Sequence, residues 1–277
     1  MTAEPAAFSP RCPWSMSDFL SSMASSSRLR AEEVRTTVGE RGLQSRVASA
    51  RPPQPLALHT DGFDLIAETK LASPSEGRIA ASGEQVVGLA EEMAAAGAAA
   101  ISVLTEPVVF DGSIEHLEAV ASNVTAPVMR KDFLVDPVQV IEARAYGASG
   151  VLLIARITSR SELVEMTDLA LDLGMFVLVE VFDKPELDVA SEVFDRSVLV
   201  GVNARDLSTL EVTPSRHADL ISSLPTHLPS VAESGIRTPE DAKAVSGLGY
   251  DLALVGTSLV GSGRIAQLTR EMAEAGR

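Results

Sequence analysis

Glu68 and Lys70 end an apolar run, and the Ser/Pro/Gly segment of IAETKLASPSEG follows at once. A strand facing a dry core gains nothing from such residues, because a buried charge is costly unless it is paired. Charges at the carboxyl end of a buried strand, ahead of a Ser/Gly loop, fit a site for an anionic ligand. A solvated ion pair at a surface strand end fits this one segment as well. Ionisable groups recur at the ends of later runs: Glu106, then Arg130, Lys131 and Asp132, Glu180, Asn203 with Arg205 and Asp206, and Glu233 beside Ser234. Side chains alternate along a strand, so Glu68 and Lys70 share a face, as do Asn203 and Arg205. Lysines among carboxyl groups can move protons and stabilise developing negative charge, their proton availability set by burial and neighbouring charge.

The elements that must position these groups repeat in type. Eight short apolar runs carry them: Asp64–Lys70, Ala100–Glu106, Pro127–Phe133, Gly150–Arg156, Met175–Phe182, Val198–Asp206, Ser230–Ile236 and Asp251–Leu259. Their starts lie about 20 to 36 residues apart, room for a strand, a loop, a helix and a return. Helical patterns fill the intervals, among them DPVQVIEARAYGA and SRSELVEMTDLALDLG, with Ser, Thr or Asp at the start and Gly at the end. SPSEG and TPED read as helix starts of this kind. The pattern predicts an α/β fold, a (β/α)8 TIM barrel; the competing open doubly wound sheet lacks a GxGxxG after its first strand. Residues 1–60 read as an N-terminal helical extension ending at RPPQPLALHTDG, with the barrel over residues 61–277.

In such a barrel the active site lies at the carboxyl ends of the strands, and phosphate often binds at the loops after strands 7 and 8. Ser234, Gly235, Gly256 and Thr257 are placed for that, since glycine lets a ligand approach the backbone closely. Ser73, after strand 1 and beside strand 8 in a closed ring, adds a hydroxyl.

Bulk properties bound the rest. A net charge of −15 argues against nucleic-acid and membrane-surface partners. The single cysteine, Cys12, excludes an internal disulfide framework, and the four histidines are scattered without metal-ligand spacing. No run of about 18 apolar residues and no basic-then-apolar leader occurs, so the cytoplasm is the expected compartment. The expected partner is a small phosphorylated molecule, with the chain a monomer or weak homodimer.

The segments IAETKLASPSEG, ISVLTEPVVFDGS, PVMRKDFLVDPVQVIEARAYGASGVLLI, LVEVFD, GVNARDLSTLEV and AESGIRTPEDA resemble, in order, the motifs of indole-3-glycerol phosphate synthase. The resemblance spans about residues 63–260. It implies a (β/α)8 barrel with an N-terminal helical extension, a reaction of tryptophan biosynthesis, and no metal or organic cofactor. By the same resemblance Lys131 acts as general acid on the substrate carbonyl oxygen, and Lys70 contacts the anthranilate carboxylate. Glu180 handles a proton, while Glu68 and Glu233 orient the lysines and substrate hydroxyls. Asn203 and Arg205 hold the carboxylate, with Ser234 also at the substrate. Ser73, Gly235, Gly256 and Thr257 bind phosphate, and Phe110, Phe133, Leu152, Leu207 and Leu210 wall the aromatic ring.

The chain departs from the family pattern at Thr69, Leu71, Glu76 and Ala204, which removes two positive charges near the mouth and adds a negative one. Such changes fit a paralogue acting on a modified anthranilate. Two other readings stand beside the synthase. A phosphoribosylanthranilate isomerase uses a Cys/Asp pair, and Cys12 lies outside the barrel. A non-catalytic phosphate-binding barrel would be favoured by loss of Lys131 or Glu180, and both are present.

Overall fold

The computed structural model describes residues 19–60, 62–73, 77–78, 83–206, 209 and 211–277. Leu207 and Leu210, the side chain of Ser73, Glu76 and Cys12 lie outside the described residues. Eight parallel strands form a closed barrel: β1 Asp64–Thr69, β2 Ala100–Leu104, β3 Val128–Lys131, β4 Gly150–Ile154, β5 Phe176–Val181, β6 Leu199–Asn203, β7 Ser230–Glu233 and β8 Leu252–Val255. β1 pairs with both β2 and β8, which closes the ring. The strands are apolar almost throughout because helices cover their outer faces and side chains fill the interior.

Alternation along each strand divides two cores. Outward residues such as Ala67, Val103, Val151 and Val200 pack under the helices. Inward residues Ile66, Ala100, Met129, Leu152, Leu178, Leu199, Val231 and Leu252, one from each strand, form the interior cluster. Two positions further along, towards the carboxyl ends, the same inward face carries Glu68, Lys131, Glu180 and Glu233. The polar groups therefore stand on an apolar floor.

Residues 19–49 form two helices, α1 Phe19–Thr37 and α2 Gly39–Ser49, broken where Gly39 takes a left-handed φ of 70°. Phe19 and Met23 of α1 join the interior cluster with Phe133, Ile154 and Phe182, so α1 lies over one side of the barrel mouth. α2 packs on α5 (Pro137–Ala145), with Leu43 buried beside Ala31, Val138 and Ala145. The connection to β1 crosses the amino end, where the Gln54 N–H donates to Ser149 Oγ at 2.9 Å and Leu56 and Leu58 pack on the interior cluster.

Several expected helix starts are present. Thr238 and Asp241 form a capping box at α9 (Pro239–Leu248), and Ser159 and Glu162 form another at α6 (Arg160–Asp172). SPSEG is not one of them: Ala72–Ser73 pair antiparallel with Gly77–Arg78, and α3 begins only at Gly83. Pro74 disfavours helical backbone at the residue before it, which leaves Ser73 extended. Among the described residues no helix is long and apolar enough to cross a membrane.

Candidate active site

A cavity of about 360 Å³ opens at the carboxyl ends of the strands. On its floor a single carboxylate serves two amines: Glu68 accepts from Lys70 Nζ at 2.8 Å and stands 3.6 Å from Lys131 Nζ. Glu68 is 4% exposed. Burial raises its pKa, but the charges of Lys70 and Lys131 outweigh that and hold the carboxyl below its usual range. Burial likewise disfavours the charged form of Lys131. Glu68, Glu180 and Glu233 outweigh this too, and the Lys131 pKa is raised. Glycine at the end of β8 makes room for the arrangement, since a Cβ on Gly256 would stand 2.5 Å from Glu68 Oε1.

Asn203, Arg205, Glu233, Ser234, Gly235, Gly256 and Thr257 also line the cavity, as the strand-end positions predict. Asn203 Oδ1 accepts the Arg205 N–H at 2.9 Å, a local turn at the end of β6. Ser234 and Gly235 both take left-handed backbone, with φ of 66° and 81°, and turn the chain sharply after β7. Glu233 is buried, and burial together with the Glu180 carboxyl raises its pKa well above the ordinary value. Neither Glu233 oxygen has a hydrogen-bond partner, and Glu180 Oε2 lacks one as well.

Three expected positions stand off the cavity lining. Glu180 is buried, close to Lys131 and Glu233. Leu152 belongs to the interior cluster at 1% exposure. Phe133 stands behind the wall, with its ring 6.4 Å from Phe110 and 6.0 Å from Phe19. Phe110 itself lines the cavity. Its loop is held by Glu106, whose carboxylate accepts the N–H groups of Val108, Val109 and Phe110.

The remaining strand-end charges brace the site. Arg130 is buried, donates to Glu142 at 2.7 Å and Asp132 at 3.2 Å, and also bonds Thr105. Phe19, Leu104, Ile236 and Arg237 line the cavity without having been singled out. Phe19 lies in a segment with no strand pattern, while Arg237 follows the Ser-Gly turn in the same loop, which is a readable signal.

The sequence profile of indole-3-glycerol phosphate synthase matches residues 21–272. The chain is 43% identical over 236 residues to the indole-3-glycerol phosphate synthase of Saccharopolyspora erythraea, covering 84% of this chain and 87% of that one. It is 43% identical over 235 residues to that of Mycobacterium leprae, covering 83% and 85%. Among solved structures, 3-hexulose-6-phosphate synthase from Salmonella typhimurium superposes with a TM-score of 0.63 at 13% identity, over 77% of this chain and 98% of that one. Tryptophan synthase subunit alpha from Legionella pneumophila gives 0.57 at 15% identity, over 77% and 92%. At such identities these two speak for the barrel fold alone. Ordered motifs, a closed barrel and relatives matched over most of their length agree, and the chain belongs to the indole-3-glycerol phosphate synthase family.

Proposed function

We propose that the chain closes the ring of 1-(2-carboxyphenylamino)-1-deoxyribulose 5-phosphate, with loss of carbon dioxide and water, to give indole-3-glycerol phosphate. This is a carboxy-lyase reaction of tryptophan biosynthesis, and its substrate is a small phosphorylated molecule. The observation that carries the reading at residue level is the pair of lysines on Glu68 at the cavity floor. In the first step a ring carbon attacks the ketone, and the oxygen becomes an alkoxide. Lys131, kept charged by Glu68, gives that oxygen its proton, and the favourable charge of the ammonium lowers the barrier.

Lys70, Asn203 and Arg205 hold the carboxylate until it departs as carbon dioxide. Aromaticity then returns to the six-membered ring. Glu180 and Glu233 carry the proton chemistry of water loss. Ser234 meets substrate polar groups, and Gly235, Gly256 and Thr257, with Ser73, receive the phosphate. Phe110 and Phe19 cover the aromatic ring, backed by Phe133.

The test is turnover of this substrate by the purified chain, followed by indole fluorescence, with Lys131→Ala alongside. Turnover by the parent and a fall of at least about a hundredfold in the variant support the assignment. A parent that binds the substrate without turning it over sinks the activity, and an unimpaired variant removes Lys131 from the acid's role.

A further inference from the structure

A second cavity, of about 350 Å³, opens at the amino end of the barrel, opposite the active site. Val124 and Ala126, ahead of β3, and Val128 at its start form an apolar floor. The walls are the end of α2 with the chain that follows it, α4 (Ile114–Asn123), and Tyr146 at the end of α5. Two arginines stand in it, and they are held differently. Arg46 stacks on the Tyr146 ring at 4.6 Å and lies 3.4 Å from Glu118, the one carboxylate of the wall among the described residues. Arg51 is exposed at the rim. Its carbonyl accepts from a third guanidinium, that of Arg144, which is 3% exposed. The other terminal nitrogen of Arg144 is buried with no partner, and burial lowers its pKa with no carboxylate to offset it.

A cation kept from water without a counter-ion is costly. Of these three guanidiniums only Arg46 has a carboxylate in the wall, so this end holds an excess of positive charge in a chain of net charge −15. We propose that the cavity is a second binding site, for a small organic anion: a carboxylate carried on an apolar body. The planar guanidinium of Arg51 offers a carboxylate two parallel N–H donors. The valine and alanine floor and the Tyr146 ring receive the body. The volume falls in the range of small-molecule sites, about 300–1,000 Å³.

Such a ligand touches two parts of the fold at once. Arg46 and Arg51 belong to the N-terminal extension, whereas Ala121 and Tyr146 belong to the barrel. Binding therefore stabilises the docking of the extension by mass action. None of the residues around this cavity lines the one at the carboxyl ends of the strands, so the two sites are separate.

The chain has two tyrosines, Tyr146 in this wall and Tyr250, which is buried elsewhere with its hydroxyl on the His217 carbonyl. The experiment is an NMR titration of the full chain, labelled with carbon-13 tyrosine, against sodium benzoate and against its neutral counterpart benzamide at constant ionic strength. Tyr146→Phe assigns the two resonances. Benzoate is expected to move the Tyr146 resonance saturably and to leave that of Tyr250 in place. Benzamide should bind at least about tenfold more weakly, and Arg51→Gln should weaken benzoate by a similar factor. A Tyr146 resonance unmoved up to about 50 mM benzoate overturns the site, as does a shift that survives Arg51→Gln. Benzamide as effective as benzoate overturns the requirement for an anion. The readout is binding alone, so none of these outcomes depends on turnover or on the synthase reading.

Discussion

The Arg30 guanidinium of α1 donates to Asp132 Oδ1 at 2.7 Å, one residue beyond Lys131. Its other terminal nitrogen stands 3.7 Å from Glu106, the carboxylate that organises the Phe110 loop. Asp132 is buried and also accepts from Thr105 and Arg130. One side chain from outside the ring therefore ties together the ends of β2 and β3. Replacing it leaves a buried carboxylate short of a partner, which is costly. Arg30→Met is expected to lower stability by about 2 kcal/mol, read as a shift in the urea midpoint, and to raise KM. An unchanged midpoint would contradict this bracing.

Gly256→Ala is expected to act through Glu68. The added methyl would stand 2.5 Å from Glu68 Oε1, so the carboxylate must move off one of its lysines. Overpacking of this kind costs about 1–3 kcal/mol, and turnover should fall at least about tenfold. Gly88→Ala is the control. It sits in α3 (Gly83–Ala95) with no atom within 4 Å of the new Cβ, and should stabilise the helix by about 0.5–1 kcal/mol. Thermal melts and steady-state rates of both variants distinguish the effects.

Glu233 carries a cost in stability that pH exposes. Its folded-state pKa is raised, so folding is unpenalised below the ordinary carboxylate range and loses stability as pH rises towards the folded value. Glu233→Gln escapes this loss. The variant should be more stable than the parent at pH 8, with the difference shrinking as pH is lowered towards 4, in denaturation curves across that window. Equal stability at all pH values would mean that Glu233 ionises normally. Glu68 has the opposite sign: its lowered pKa contributes stability above the carboxylate range that is lost on acidification.

Four cations, Lys70, Lys131, Arg205 and Arg237, line the cavity against the ionised carboxylate of Glu68. Such a positive well in a chain of net charge −15 suits a substrate carrying about three negative charges. Arg237 lies beside the Ser-Gly turn, and its backbone N–H donates to the Asp241 carboxylate at 2.9 Å. Arg237→Gln is expected to raise KM about fivefold with kcat unchanged, an effect that shrinks as salt is added. A fall in kcat at constant KM would contradict a binding role.

The groups at the cavity floor were legible because a strand repeats every two residues. Glu68, Lys131 and Glu233 are inward by parity, and their place at strand ends puts them at the mouth. Parity gives the face but not the depth, so the burial of Leu152 and Glu180 could not be read from it. SPSEG misleads because Ser and Pro serve helix starts and tight turns alike. Phe19 carried no periodic signal, since its ring partner Phe133 is distant in sequence. The hold of Glu106 on three backbone N–H groups depends on loop geometry that residue types do not encode.

The segment ahead of β1 runs like a strap, with Phe19 and Met23 at the mouth and Leu56 and Leu58 at the opposite end. The partners that dock it on the barrel lie later in the chain: Arg30 waits for Asp132, 102 residues on, and Leu43 waits for Val138. During synthesis this segment, made before the barrel, has no barrel surface to dock on until β3 and α5 have emerged. Contacts of such long sequence separation are slow to close. A segment made ahead of the barrel is thus among the last to find its place, and the aromatic side of the site is finished only when it does.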